Sequence, residues 1–574
     1  MKLPSFHLQP SLFVTLLILS VGSALTAQRT VTIDEGFAGL DASDNLLLIH
    51  RSPPIQTTLM SPASALRYRG VVYTLTRELS QPTTDEVYTA TAGGTEYQVA
   101  FTDLPLILIR PEEALSDDNR VRSVLSYAED VSLVTSPVGV RYRGEEDDPK
   151  RGFDLEFREV EDYSETANVQ LGGLRNDDDW VLFSLYRQPL RTNAYAAHAL
   201  WLEMASLAYQ SEEPEARPGA DVAFTEVFID DDYYGVLLLS EEVDRKQLQL
   251  KSYQEETNTL RGELYEAEDG SEATNFEAQD EAPDNEDDDY GGWEIKYPDP
   301  DEGNPLENLH SLVGFVANSS EENFRGGAAS RFQLDNLIDY ELFINALLLT
   351  GHMDNRLYLA RYTNGSPYFY IPWELGAGFG TTNGGERRTD EDLTRWLDNE
   401  LFKRLEDVSP ERYQTRRCDR FQVLRRTLLS TSSLTARLND ARFQLVDNGA
   451  LAREAARWPG SVATEEGDYR EFTESFIADR LAFLDMEVCA RATSLPFAPA
   501  VAPALTVYPN PAIDRVTVER ETGVAEPYLL FNAEGRQVAS GTVTGRRATV
   551  SLEGLPTGVY VLRIGAATGR VNVR

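Results

Sequence analysis

A run rich in alanine and proline, ATSLPFAPAVAPA (492–504), divides this chain into two parts that follow different rules. Proline continues neither a helix nor a central strand, so such a run reads as a linker between domains. Beyond it, residues 505–574 alternate polar and apolar side chains in period two with turn signals throughout, which predicts a small β-sandwich. The part before it is too long for one ordinary core in a chain of 574 residues, so more than one folded region is expected there.

Charge separates the same two parts. The formal net charge is −41, yet the last seventy residues hold eight Arg against six Asp or Glu, so the acidity belongs to the long part. A polyanion gains nothing by meeting another polyanion, which excludes nucleic acid as a partner and argues against a membrane-surface role. The positive charge is nearly all arginine, with only Lys2, Lys150, Lys246, Lys251, Lys296 and Lys403 as lysines. A hydrophobic fraction of 41% suits globular domains.

The N-terminus, MKLPSFHLQPSLFVTLLILSVGSALTAQ, has a basic start, an apolar run from Leu12 to Val21 and small residues behind it. That run is too short to span a bilayer and has the flanks of a signal peptide, expected over 1–27. No other segment is long and apolar enough to span a membrane, so an exported, soluble protein is expected. Cys418 and Cys489 form one disulfide or stay as two buried thiols; the sequence leaves both open.

Between these ends, short runs such as LLLIHRS, RGVVYTLT and TEYQVAFTDLPLILIR predict a β-rich region over 28–135 packed on a larger domain over 136–491. VGVRYRGEEDDPKRGFDLEFRE reads as two strands around an acidic turn, and residues 192–210 as a helix. Residues 223–244 read as a hairpin turning at Asp230–Asp232. From Glu263 to Glu302 there are seventeen Asp or Glu with only Lys296 opposing them. Within that stretch DNEDDDYGG lacks the sharp-turn glycine of an EF-hand, because Asp289 stands there, and reads as a solvated loop. FQLDNLIDYELFINALLLTGH is a strong helix, and residues 390–488 are mostly helical. IPWELGAGFG (371–380) reads as a strand end, one carboxylate at Glu374, then glycines. The fold class is α+β.

Two resemblances add to this reading. YPNP (508–511), NAEGR (532–536), LPTGVY (555–560) and the ending VNVR resemble the sorting domain of the type IX secretion system over 505–574. That resemblance implies a Bacteroidetes-type bacterium and a partner in the secretion machinery. It further implies a secreted or outer-surface protein. The central part resembles the CotH family of atypical protein kinases, starting near residue 100, in four segments in order. They hold Arg143, Gly144, Pro149 and Lys150; then Trp180, Arg191 and Asn193; then Tyr234, Gly235, Glu241 and Glu242; then LLLTGHMDNRLYLARY followed by IPWELGAGFG.

The resemblance implies an atypical protein-kinase-like domain, β-rich first and mostly helical after, that uses ATP and Mg2+ to phosphorylate protein Ser or Thr. Phosphoryl transfer needs cations on the phosphates, carboxylates on the metal and a group to orient the acceptor. By resemblance Asp354 orients the acceptor, Glu374 and Asn355 hold the metal, and Arg143, Lys150, Arg191 and Lys246 are the phosphate partners. Read as a residue alone, Arg143 pairs equally well with Asp154 or Glu156 across its hairpin. The family carries aspartate where this chain has Glu374 and Gly376, so one carboxylate is altered and one missing. The alternative is therefore an inactive pseudokinase serving as a surface binding or structural module, with an unknown protein or glycan partner. A hydrolase built on paired carboxylates is a third reading.

An acidic, lysine-poor surface keeps a protein soluble in concentrated salt, which points to a saline habitat. The melting temperature and solubility should both rise from low to molar salt; equal values at the two extremes would refute the idea.

Overall fold

The computed structural model describes residues 29–160, 162–257, 259–283, 289–299, 303–463, 466–491, 505–520, 525–533, 536–565 and 567–574. The expected signal peptide, the linker 492–504, residues 284–288 of the DNEDDDYGG stretch and Gly535 of the NAEGR turn lie outside them. The described chain mixes helix and strand, β-rich first and helical later.

One compact unit gathers residues up to Ser184 with Ala223–Glu241 and Phe443–Gly460. Its centre is a closed barrel of seven strands: Ser132–Arg143, Gly152–Phe157, Asp179–Phe183, Asp232–Glu241, Val222–Ile229, Leu106–Pro111 and Val121–Glu129, which returns to the first. Leu106–Pro111 closes it by pairing parallel to Val222–Ile229, with Glu226 opposite Leu106. Alternate residues Ile107, Ile109, Leu125, Val140, Phe153, Trp180 and Leu239 fill one core. Their neighbours Leu106, Leu108, Ala128 and Phe228 meet Leu46, Leu48 and Ala100 of a second, seven-stranded sheet. LPLILIR is therefore apolar throughout because both its faces are covered.

The sequence suggested a division at residue 135, but that position falls inside the strand Ser132–Arg143. The barrel takes strands from both sides of it. The expected hairpin is there, as Val222–Ile229 and Asp232–Glu241.

The other unit holds Leu185–Val222, Glu242–Arg442 and the chain from Ser461 onward. A five-stranded sheet runs in the order Asp289–Tyr290, Trp293–Tyr297, Glu263–Ala267, Leu357–Arg361, Tyr368–Pro372. Three of these strands come from the acidic 263–302 segment, whose alternation sends Tyr265, Ala267, Trp293 and Ile295 into one core. The helix Leu334–Leu347 is buried along its whole length except at Asp335. A helix covered on every side must find partners for its polar residues. Asn336 exchanges hydrogen bonds with the backbone of Tyr370, Asp339 pairs with Arg420, and Glu341 pairs with Arg417 and Tyr413.

Residues 506–573 form a three-stranded and a four-stranded sheet around Val516, Val518, Leu530, Val550, Leu562 and Val571. Asn532 turns that chain: its N–H reaches the Arg536 carbonyl at 2.9 Å, and its side chain accepts from Arg536 N–H at 2.8 Å.

Cys418 and Cys489 form a disulfide between the helices Tyr413–Arg425 and Glu466–Ala490, 71 residues apart. Closing a loop of that length in the unfolded chain is worth up to about 4 kcal/mol. Replacing both cysteines by serine should lower the urea midpoint in proportion, and an unchanged midpoint would show that the unit does not depend on the bond.

Candidate functional site

The residues expected from the sequence to carry chemistry fall in both units, and each unit is described on its own.

In the barrel unit, Lys150 sits between Ser132–Arg143 and Gly152–Phe157 with its side chain wholly buried. Its Nζ lies 2.6 Å from Glu454 Oε1 and donates to the Val236 carbonyl, also at 2.6 Å. Glu454 belongs to the helix Ala450–Arg457 and is itself buried; its Oε2 accepts the Val236 N–H at 2.8 Å. In protein kinases a lysine on a sheet strand pairs with a helix glutamate, and the pair must be in place for transfer; Lys150 instead stands just before the strand Gly152–Phe157. The resemblance implied a lysine facing phosphate, whereas this ammonium is wholly buried against Glu454 and the Val236 carbonyl. Arg143 lies 3.2 Å from Asp154 Oδ1, and Arg141 holds the other oxygen at 2.9 Å. Arg143 is thus in the cross-strand pair that its position also allowed.

In the second unit, Arg191 is fully buried and in the left-handed region at φ +61. It donates to the carbonyls of Tyr186, Gln188 and Ser461, so it fastens the backbone there. A guanidinium with five N–H groups can close several carbonyls at once, which a sequence motif does not reveal. Lys246 is on the short helix Arg245–Leu248, partly exposed, 4.0 Å from Asp244.

The hairpin of Leu357–Arg361 with Tyr368–Pro372 pairs Leu357 with Pro372. That register brings Asp354, Asn355 and Arg356 to the same end of the sheet as Trp373 and Glu374. Asn275 Nδ2 donates to Asp354 Oδ2 at 3.2 Å. Asn355 is half-buried. Glu374 Oε2 is 3.4 Å from Arg356 Nε. Position 376 carries no side chain, and a Cβ built there would lie 3.3 Å from Gln188 Nε2. The Gln188 Oε1 accepts the Ala194 N–H, and Asn193 Nδ2 reaches the Gly378 carbonyl and Thr381 Oγ1. The start of the helix Asn193–Met204 thereby holds the glycine loop.

Magnesium takes oxygen ligands in near-ideal octahedral geometry. Here the one carboxylate at 374 already has a cation beside it, and glycine at 376 offers no ligand. These residues do not fit a magnesium ion. Among the described residues, the carboxylates close enough to share an ion are Glu266, Glu268 and Glu294. Lys296 stands among them at 3.1, 3.8 and 2.6 Å. Hydrogen bonding to Glu294 raises the Glu268 carboxyl to about 7.

Arg356, Gln188, Asn275 and Glu454 are the participants that sequence reasoning missed. Arg356 follows Asp354–Asn355 directly, but nothing in the sequence says it folds back onto Glu374. His352 is structural: its Nε2 donates to the Trp373 carbonyl at 2.9 Å, and burial drives its titration down to about 4. Burial does the same to His198, which meets the Trp373 ring edge-on. Both imidazoles are neutral when folded and titrate at 6.5 when unfolded. The unfolded chain therefore binds more protons between 6.5 and about 4, and stability falls as pH drops through that window. Each group accounts for up to about 3 kcal/mol. His198→Gln should flatten the acid limb of stability against pH; an unaltered limb would contradict this account.

The model of the family described as CotH kinase protein matches residues 140–484. The model described as secretion system C-terminal sorting domain matches residues 506–574. No curated protein matches the chain significantly. The tail implies contact with the type IX secretion machinery and export to the cell surface or outside. No helix among the described residues is long and apolar enough to cross a membrane.

Proposed function

This chain belongs to the CotH kinase protein family, and we propose that its kinase-type domain is an exported binding module that no longer transfers phosphate. The observation that carries this reading is the environment of residue 376. A second metal carboxylate is absent, and the Gln188 amide stands 3.3 Å from where its Cβ would be. Electrostatic groups aimed at a reacting centre are worth a factor of about a hundred to a thousand each, going by oxyanion-hole deletions. Loss of one with alteration of its neighbour leaves little phosphoryl transfer. On this reading a signal peptide over 1–27 starts export, the tail completes it through type IX secretion in a Bacteroidetes-type cell, and a protein or glycan at the cell surface is the partner.

One observation favours a second reading, retained ATP-dependent kinase activity. The Lys150–Glu454 pair is of the kind that active kinases need. In that case Asp354 orients a Ser or Thr hydroxyl.

Incubating the full chain with radiolabelled ATP and magnesium or manganese separates the two. No label should reach the chain itself or general protein acceptors, and calorimetry should show no saturable ATP binding at millimolar concentration. Metal-dependent labelling that disappears in Asp354→Ala would establish the second reading instead.

A further inference from the structure

The hairpin of Leu357–Arg361 with Tyr368–Pro372 has a second end, where Arg361 pairs with Tyr368. It lies roughly 13 Å along the strand from the end that carries Glu374, at the ordinary rise per residue. Beside it the second unit opens a cleft of about 320 Å³, the size of a small-ligand site. The floor of this cleft is apolar. Phe332 follows the helix Glu321–Arg331, Leu334 begins the next helix, and Pro367 stands just before the strand Tyr368–Pro372. Gln333 ties the floor to the sheet: its N–H donates to the Tyr368 carbonyl at 2.8 Å, and its side-chain amide reaches the Pro367 carbonyl at 3.4 Å.

The rim is polar. The Arg416 guanidinium donates to Asp335 Oδ1 and, at 3.3 Å, to Glu411 Oε2. Among the described residues nothing donates to Asp335 Oδ2 or Glu411 Oε1, and these side chains are 87% and 60% exposed, so both oxygens are open to a guest. The turn that presents Glu411 is built against local preference. Ser409, Glu411 and Arg412 take left-handed backbone at φ +47, +46 and +62, which non-glycine residues seldom hold and which recurs at ligand clamps.

We infer that this cleft binds a terminal, uncharged sugar residue of a glycan. This deepens the binding reading and rests on it. Three features select that class. Two carboxylates against one guanidinium leave the rim negative, which repels phosphate, sulfate and carboxylate groups. A hydroxyl both donates and accepts. The rim meets it with acceptors on Asp335 and Glu411 and donors on Arg416 and Ser206. A cationic peptide would use the acceptors alone and would meet the guanidinium as a like charge. The carbon face of a sugar ring, finally, covers the apolar floor while its hydroxyls take the rim, the division of labour usual in ligand sites.

Fluorescently labelled full chain, applied to an array of neutral, sialylated and sulfated glycans with lysine- and arginine-rich peptides on the same slide, tests this. The wild type should bind neutral glycans. Asp335→Asn and Glu411→Gln remove a charge and little volume, and each should weaken that binding about tenfold or more. A thermal melt matching the wild type shows that each variant is folded. No neutral-glycan signal from the wild type overturns the inference, as does binding confined to charged glycans or to basic peptides. Neutral-glycan binding that both folded variants keep at wild-type strength overturns it too. Any of these results, in a chain that takes no label from ATP, overturns this inference alone. Metal-dependent labelling overturns the binding reading, whatever the array shows.

Discussion

The buried ion pair of Lys150 with Glu454 is the interaction on which the barrel unit depends. Both side chains are fully inaccessible. Two charges removed from water are tolerable only when geometry and hydrogen bonding are complete, and losing one partner costs roughly 3–5 kcal/mol. Here the set is well supplied: the ammonium has Glu454 and the Val236 carbonyl, and the second Glu454 oxygen has the Val236 N–H. The helix that brings Glu454 is fixed by further polar contacts. Arg453 lies on Glu226, while Arg457 and Trp458 donate to the carbonyls of Tyr233 and Tyr234. These bonds explain why Phe443–Gly460 belongs with a barrel whose strands lie far earlier in the chain.

Arginine dominance, read from composition as an adaptation to salt, has a second cause in the interior. Arg191, Arg417 and Arg480 are all fully buried. Arg480 donates to the carbonyls of Asn345, Leu393 and Arg395, and burial lowers its titration to about 9, so it keeps its charge at neutral pH. A lysine has three N–H groups on a point charge and lacks the planar fork that bridges several carbonyls. Arg191 and Arg480 bridge carbonyls in this way within the second unit, whereas Arg417 meets the carboxylates of Glu341 and Glu406. The surface argument and the interior argument act on the same residue type for different reasons.

What the sequence disclosed was local. Period-two alternation around Asp230–Asp232 gave the hairpin, helical spacing gave Leu334–Leu347, and both family resemblances stood on short runs. What it concealed depends on approach between distant segments. The closing pair of the barrel joins Leu106–Pro111 to Val222–Ile229, and no local pattern names that partner. Lys150 follows four acidic residues and one proline, which reads as solvent-exposed, yet its neighbour Gly152 begins a barrel strand that draws it inward. Arg191 looked like a phosphate ligand because its motif is written in residue types. Its left-handed backbone turns the side chain onto carbonyls. The altered carboxylates at 374 and 376 were legible; that Arg356 would stand beside one of them was not, because it depends on two left-handed residues meeting across a hairpin.

The distance along the chain between Lys150 and Glu454 also sets an order of events during synthesis. The two are 304 residues apart. At about 5–20 residues per second, the ribosome takes about 15–60 s to deliver the glutamate after the lysine. Throughout that interval the first barrel strands exist without the helix that completes them. The barrel unit cannot be finished in the order in which it is made, so a nascent chain that long must be kept from committing its early strands elsewhere.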